Sequence, residues 1–161
     1  MDAIIVVPLI IILLVAKYHF TDHDTKSDKE RKRFAEGIAL FEDKNYAGAF
    51  TFFNKILAED RKSAIAFSYR GKCQLLEENL HGAIYDFTQA LSFDNTLADV
   101  HFDKGKAHYE LGEFKEAFLC FDKAIWFSRG ENKEAFQWRS WTEDRMEKQE
   151  SNIKDIADRF F

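Results

Sequence analysis

Proline occurs once and glycine seven times in 161 residues, too little turn chemistry for a chain built of many β-hairpins. Basic charge is also short. Against 28 Asp and Glu stand 23 Lys and Arg, a formal net charge of −5, which argues against a nucleic-acid binder holding phosphates over a broad surface. The two cysteines, Cys73 and Cys120, form no CxxC pair and have no histidine cluster nearby, so they read as reduced core thiols rather than a zinc site or a disulfide scaffold. No nucleophile elbow, P-loop, HExxH or GxGxxG occurs, and no carboxylate pair stands out from a surface rich in Asp and Glu. Catalysis has no visible seat, so no enzyme, cofactor or small-molecule substrate is expected. His19 and His23, beside Asp22 and Asp24, lie in a linker without thiolates, which is a poor metal site.

What is present favours helices. Apolar residues make up 46% of the chain and phenylalanine alone fills 17 positions, ample material for an all-α core. Near the start, Ala3 to Ala16 read AIIVVPLIIILLVA with no charge. Those 14 residues rise roughly 21 Å as a helix, short of the ~30 Å of hydrocarbon in a bilayer. Met1, a snorkelling Lys17 and the interfacial rings of Tyr18 and Phe20 extend the segment. A cleaved signal peptide wants a positive start and a small-x-small end, whereas this segment has Met1-Asp2 and Leu14-Val15-Ala16-Lys17. Residues 1–20 are therefore read as a single-pass transmembrane helix, in contact with the lipid bilayer through residues 3–20. Lys17, Lys26, Lys29, Arg31, Lys32 and Arg33 follow the apolar run and no basic residue precedes it, so the remainder is expected to face the cytoplasm. Residues 21–27 read as a linker, and the capping-box spacing Ser27-Asp28-Lys29-Glu30 sets the start of the first soluble helix near Asp28.

A repeat dominates the next hundred residues. Gly37, Gly71 and Gly105 recur every 34 residues, as do Ala49, Ala83 and Ala117, and Phe53, Phe87 and Phe121. Tyr46, Leu80 and Phe114, and Ile56, Ala90 and Ala124, keep the same period. Each unit has an apolar helical pattern, a polar break (Asp43-Lys44-Asn45, Glu77-Glu78-Asn79, Leu111-Gly112-Glu113) and a second helical pattern. The small residues let the two helices of a unit approach closely while the Phe fills the space beside them.

A 34-residue helical hairpin with Gly, Ala and Phe at its eighth, twentieth and twenty-fourth positions resembles the tetratricopeptide repeat (TPR) family, over three repeats of about 30–63, 64–97 and 98–131. The resemblance implies a right-handed helical solenoid. Arg61, Asn95 and Arg129 stand where a proline often ends a repeat, and Arg33 and Glu36 occupy usually apolar positions of the first helix, whose outer face is then expected toward solvent or lipid. Residues 132–161 read as a capping helix and tail, with Phe136, Trp138 and Trp141 on the helix and Arg139 where the ladder would place the small Gly. Met146, Gln149, Ile153, Ile156 and Phe160 follow 3,4 spacing. This stripe is expected to pack against the stack, with pairing to another chain the alternative, and Ser151-Asn152 to restart a short helix.

The family resemblance further implies a concave surface that binds a protein or peptide through the second, fifth, ninth, twelfth and thirteenth positions of each first helix. In this sequence those positions give Phe34, Ile38 and Phe41, then Ile65, Ser68, Lys72, Leu75 and Leu76, then Phe102, Lys106 and Tyr109, and Phe136 and Ser140 on the cap helix. Such a groove suits a segment with apolar side chains and an acidic group that Lys72 and Lys106 could meet. The carboxylate clamp of chaperone-binding relatives wants Lys and Asn at positions five and nine of the first repeat, Asn at nine of the second, and Lys and Arg at five and nine of the third. Here stand Phe34, Ile38, Lys72, Phe102 and Lys106, which disfavours chaperone C-termini. His101 and His108, seven apart on one helix, read as partner-facing or core histidines. The expectation is a membrane-anchored adaptor or scaffold, its repeats in the cytoplasm. A permanent structural or assembly subunit of a membrane complex is the alternative reading, with a secreted or periplasmic repeat protein and an enzyme behind it.

Overall fold

The computed structural model describes residues 7, 8, 10–13 and 24–160. From residue 26 onward the chain forms helices α1 (Lys26–Arg33), α2 (Ala35–Glu42), α3 (Tyr46–Glu59), α4 (Ala64–Leu76), α5 (Leu80–Phe93), α6 (Ala98–Glu110), α7 (Phe114–Phe127) and α8 (Lys133–Phe160). Three hairpins, α2/α3, α4/α5 and α6/α7, stack in chain order, and α8 packs onto the last of them. The polar breaks read from the sequence are the hairpin turns. Lys44, Glu78 and Gly112, again 34 apart, hold φ values of 62°, 59° and 74°, the left-handed conformation that closes a helix C-terminus. Asn45 and Asn79 then cap the returning helices by accepting hydrogen bonds from the Gly48 and Gly82 amides. In place of proline between repeats, Asp60 accepts from the Lys62 amide at 3.0 Å and Asp94 from the Thr96 amide at 3.1 Å, turning the chain with a side-chain hydrogen bond.

Inside each hairpin the period has a steric cause. Phe53, Phe87 and Phe121 are fully buried, as are Ala49, Ala83 and Ala117. A Cβ on Gly71 would lie 2.9 Å from the Phe87 ring, and one on Gly105 2.7 Å from the Phe121 ring. Only a glycine admits the ring at that distance, so Gly and Phe form one packing unit.

The first helix starts at Lys26, two residues before the expected point. Its capping box is Thr25 with Asp28: Asp28 N donates to Thr25 Oγ1 at 3.1 Å and Thr25 N to Asp28 Oδ2 at 2.9 Å. Ser27 and Glu30 are thereby free for longer-range work, and both are buried. Phe34, with φ −102° and ψ 22°, breaks the helix between α1 and α2 and sets its ring edge-on to Phe53. Arg33 and Glu36 are exposed, as their polar character at those positions requires.

At the other end, Arg139 stands at the glycine position of the ladder. It bonds Asp122 at 2.5 Å and lies over the Phe118 ring at 4.5 Å, both on α7, where a glycine would have left room for a ring of a following helix. Helix α8 instead runs for 28 residues, through Ser151-Asn152 without a restart. At about 1.5 Å per residue it far outruns the 14-residue α7 beneath it. Ala135 and Thr142 are buried and Met146 is half-buried, but residues 151–159 are all exposed, so the expected packing of the tail stripe stops near Met146.

Among the described residues, no helix is long and apolar enough to cross a membrane. The transmembrane segment read over residues 1–20 lies mostly outside the described residues, of which Val7, Pro8 and residues 10–13 are helical and exposed. His19 and His23 also lie outside them.

Candidate binding groove

Helices α2, α4, α6 and α8 are the first helices of successive units; of the thirteen groove residues read from the sequence, twelve lie on them and Phe34 stands at the break just before α2. Burial divides these residues. Phe34, Ile65, Ser68 and Phe102 are buried, with Ile65 and Ser68 at 0% exposure. Phe34 packs on Phe53 and Phe102 on Phe121, each within its own hairpin, so these residues belong to the core rather than to an open surface. The Ser68 hydroxyl has no hydrogen-bond partner in this packing. Ile38, Phe41 and Leu75 are half-buried at the core margin, Lys72, Lys106 and Tyr109 are half-buried, and Leu76, Phe136 and Ser140 are exposed.

An ion network forms the floor of the groove. Lys72 Nζ lies 2.9 Å from Asp99 Oδ2 and 3.7 Å from Asp103 Oδ2, and over the Tyr69 ring at 5.0 Å. Lys106 Nζ lies 3.7 Å from Asp103 Oδ1, and Arg31 reaches from α1 to Asp99 at 3.3 Å. Burial alone would lower the Lys72 pKa, but Asp99 and Asp103 outweigh it and hold the value above the ordinary lysine range. Burial likewise works to raise Asp99, yet Lys72 and Arg31 win and keep its carboxyl below its usual value. At Asp103 burial prevails over the two more distant lysines, and the carboxyl is raised. Lys72 is therefore committed within the chain, contrary to the expectation that it waits for a ligand carboxylate. Asp99 and Asp103 are the groove residues that sequence reasoning passed over. The signal was two carboxylates four apart on α6, where the neighbouring helix carries a lysine at its ninth position.

The open part of the groove is a cleft of about 590 Å³ between the C-terminal halves of α4 and α6. Leu75, Leu76 and Leu80 give it an apolar wall, and Lys106 is flanked there by Glu78 and Glu110. The protein's own tail belongs to the exposed end of α8 and does not line this cleft.

A second polar cluster lies inside the middle hairpin. Arg70 Nε and Nη2 each donate to the buried Asp86 carboxylate at 2.7 Å, Gln74 donates to it at 2.5 Å, and Asn79 donates to Gln74 at 3.0 Å. This satisfied network holds α4 to α5 and leaves the Asp86 oxygens no open face. His101 is a core residue: it stacks on Phe127 at 5.3 Å and bonds the Asn95 carbonyl, and burial lowers its pKa. His108 pairs with Glu113 at 2.6 Å across its own hairpin. Cys73 and Cys120 are free thiols, buried and half-buried, and burial pushes Cys73 up to about 11. Among the described residues, no group of three or more His, Cys, Asp or Glu is placed to hold a metal ion.

These features define a TPR-type helical solenoid with a concave groove. No family model matches the chain. The chain is 26% identical over 110 residues to human DnaJ homolog subfamily C member 7, covering 65% of this chain and 22% of that protein. A TPR repeat-containing protein of Methanocaldococcus jannaschii is 29% identical over 89 residues, covering 55% of this chain and 16% of that protein. The chain thus spans 22% or less of the length of the curated relatives it matches. The second TPR domain of human RPAP3, solved in complex with the HSP70 peptide SGPTIEEVD, superposes with a TM-score of 0.63 at 25% identity, covering 68% of this chain and 90% of that domain.

Proposed function

We propose that this chain is a membrane-anchored adaptor that binds a partner protein or peptide in its groove, with the repeats on the cytoplasmic side. The observation that carries the binding reading is the open cleft between α4 and α6, with its leucine wall and a half-exposed Lys106 between carboxylates. The peptide bound by the RPAP3 domain lends general support. The ligand chemistry differs, however. Phe34, Ile38 and Phe102 stand at three clamp positions, and Lys72 is already held by Asp99. With Glu78, Glu110 and Asp103 around Lys106, the cleft suits an apolar segment bearing a basic side chain better than an acidic C-terminus. The anchor rests on the apolar run of residues 3–16 and on the basic residues that follow it.

A permanent subunit of a membrane complex is the second reading. It is favoured by the exposed Trp126, Leu119 and Tyr85, of which Trp126 is 79% exposed, on the second helices of the hairpins. The test is cross-linking and pull-down from detergent-solubilised membranes, with the full chain compared with Leu76→Lys plus Glu110→Lys, which reverses the charge of the cleft and breaks its leucine wall, and with Trp126→Asp. Loss of a specific partner in the first variant alone supports the groove. Loss in Trp126→Asp alone transfers binding to the outer face and to the complex-subunit reading. Recovery of the chain in the soluble fraction without detergent would defeat the anchor.

A further inference from the structure

The outer half of α8 carries an apolar face that its own stack does not cover. At 3.6 residues per turn, Ala135, Thr142, Met146, Gln149, Ile153 and Ile156 fall within about 80° of one another around the helix. The first three meet the stack, whereas Ile153 is 61% and Ile156 50% exposed. The face that docks α8 therefore continues past the last hairpin. Where it leaves, the turn at residues 112–116 and the helix at Met146, Gln149, Glu150 and Ile153 enclose a cleft of about 290 Å³.

We infer that this face pairs with the same face of a second copy of the chain, the two α8 tails lying antiparallel. Charge argues against a lipid surface, because residues 143–159 carry six acidic side chains against four basic ones and an anionic bilayer would repel them. Geometry selects the direction. The apolar face points to the side on which the stack lies, so a parallel pair would bring both stacks to the same side at the same level, and they would collide. An antiparallel pair sets the stacks at opposite ends, with each tail covering the other. Ile153 then faces Ile156 of the second copy in two symmetric layers, and Gln149 lies at the mouth of the cleft beside the second copy's tail end. Flanking positions bring Glu150 beside Ala157 and Asn152 beside Arg159, so no like charges meet. The overlap of some ten residues buries far less than the roughly 800 Å² per partner of a standard interface, so the pair is weak in dilute solution and must be trapped.

Disulfide trapping of the full chain in detergent tests the inference, with all variants in a Cys120→Ala background. A mixture of Ile153→Cys and Ile156→Cys chains should yield severalfold more cross-linked dimer than either alone. Ser151→Cys, on the opposite side of the helix, should remain monomeric. Equal cross-linking by each variant alone, with no gain on mixing, would mean parallel pairing and overturn the antiparallel arrangement. Monomers throughout would overturn the pairing itself. Because Ile153 and Ile156 are exposed, the replacements leave the stack intact, which unchanged helical circular dichroism and continued protection of Cys73 would verify.

Discussion

The interior of the hairpins and the floor of the groove lie on the same helices yet follow different rules. In the hairpins, glycine, alanine and phenylalanine return every 34 residues, and each time the glycine lies against the ring of the repeat's phenylalanine, with Phe52 crowding Gly37 as well. On the groove floor the period is broken: the ninth position is Ile38 in the first repeat and lysine, Lys72 and Lys106, only in the second and third, and the carboxylates bonded to those lysines come from α6 alone. The middle hairpin also departs from its neighbours, with Asp86 where the first has Phe52 and the third Cys120. Steric fit inside a hairpin is a local problem with one solution that can be copied, whereas the groove floor is made between units and each position has its own neighbour.

The largest effects should come from the hairpin interiors. Phe87→Ala should cost about 3–5 kcal/mol in urea denaturation, and Phe53→Ala and Phe121→Ala a similar amount. A tolerated change at one of the three would break their equivalence. Asp86→Ala should cost about 3 kcal/mol because it leaves the Arg70 guanidinium without its paired acceptor, a loss that the other two hairpins have no counterpart for. Gly105→Ala drives a Cβ into the Phe121 ring and should cost about 1–3 kcal/mol. On the groove floor, Lys72→Met should destabilise by about 1–2 kcal/mol and Lys106→Met by less than about 0.5 kcal/mol, since only Lys72 holds a close carboxylate.

The pH dependence sharpens the same contrast. Asp99 has a lowered pKa in the folded chain, so its contribution is complete above the unfolded value of about 3.9 and is lost as the pH falls through the folded one. Lys72 has a raised pKa, so its contribution is complete below about 10.4 and is lost as the pH rises through its folded value. Asp99→Asn should flatten the acid limb of a melting-temperature profile below about pH 4. At the bottom of the scale, Cys73 in the folded chain should resist iodoacetamide at pH 8 and react once the chain is unfolded, as mass spectrometry of the labelled protein would record.

This division also explains what could be read in advance. The 34-residue ladder gave the hairpins, their turns and the cap, because each follows from the fit of Gly37, Gly71 and Gly105 to a ring on the next helix. It did not reveal the left-handed Lys44 and Glu78, since only Gly112 in that series carries the usual side-chain signal. The groove was legible as a set of helix faces and not as an exposed surface. Position five supplies Phe34, Ser68 and Phe102, all buried, Phe34 and Phe102 against Phe53 and Phe121 of their own hairpins, while Phe136 on the cap helix, which has no second helix after it, stays exposed. Ser27 and Glu30 have the spacing of a local cap, but long-range acceptors and donors claim them, and Thr25 takes the cap instead. Long-range partners leave no mark on a periodicity.

The placement of α1 has a mechanical consequence. Lys26 donates to the Lys62 carbonyl, Ser27 bonds Asp94, Glu30 accepts from Ser63 and the Ile65 amide, and Arg31 reaches Asp99. These four attachments are distributed from the first repeat to the third. A pull on the chain ahead of residue 24 therefore loads bonds to each of the three repeats. Tension arriving through α1 is shared among the repeats as far as the start of α6 rather than borne by the first hairpin alone.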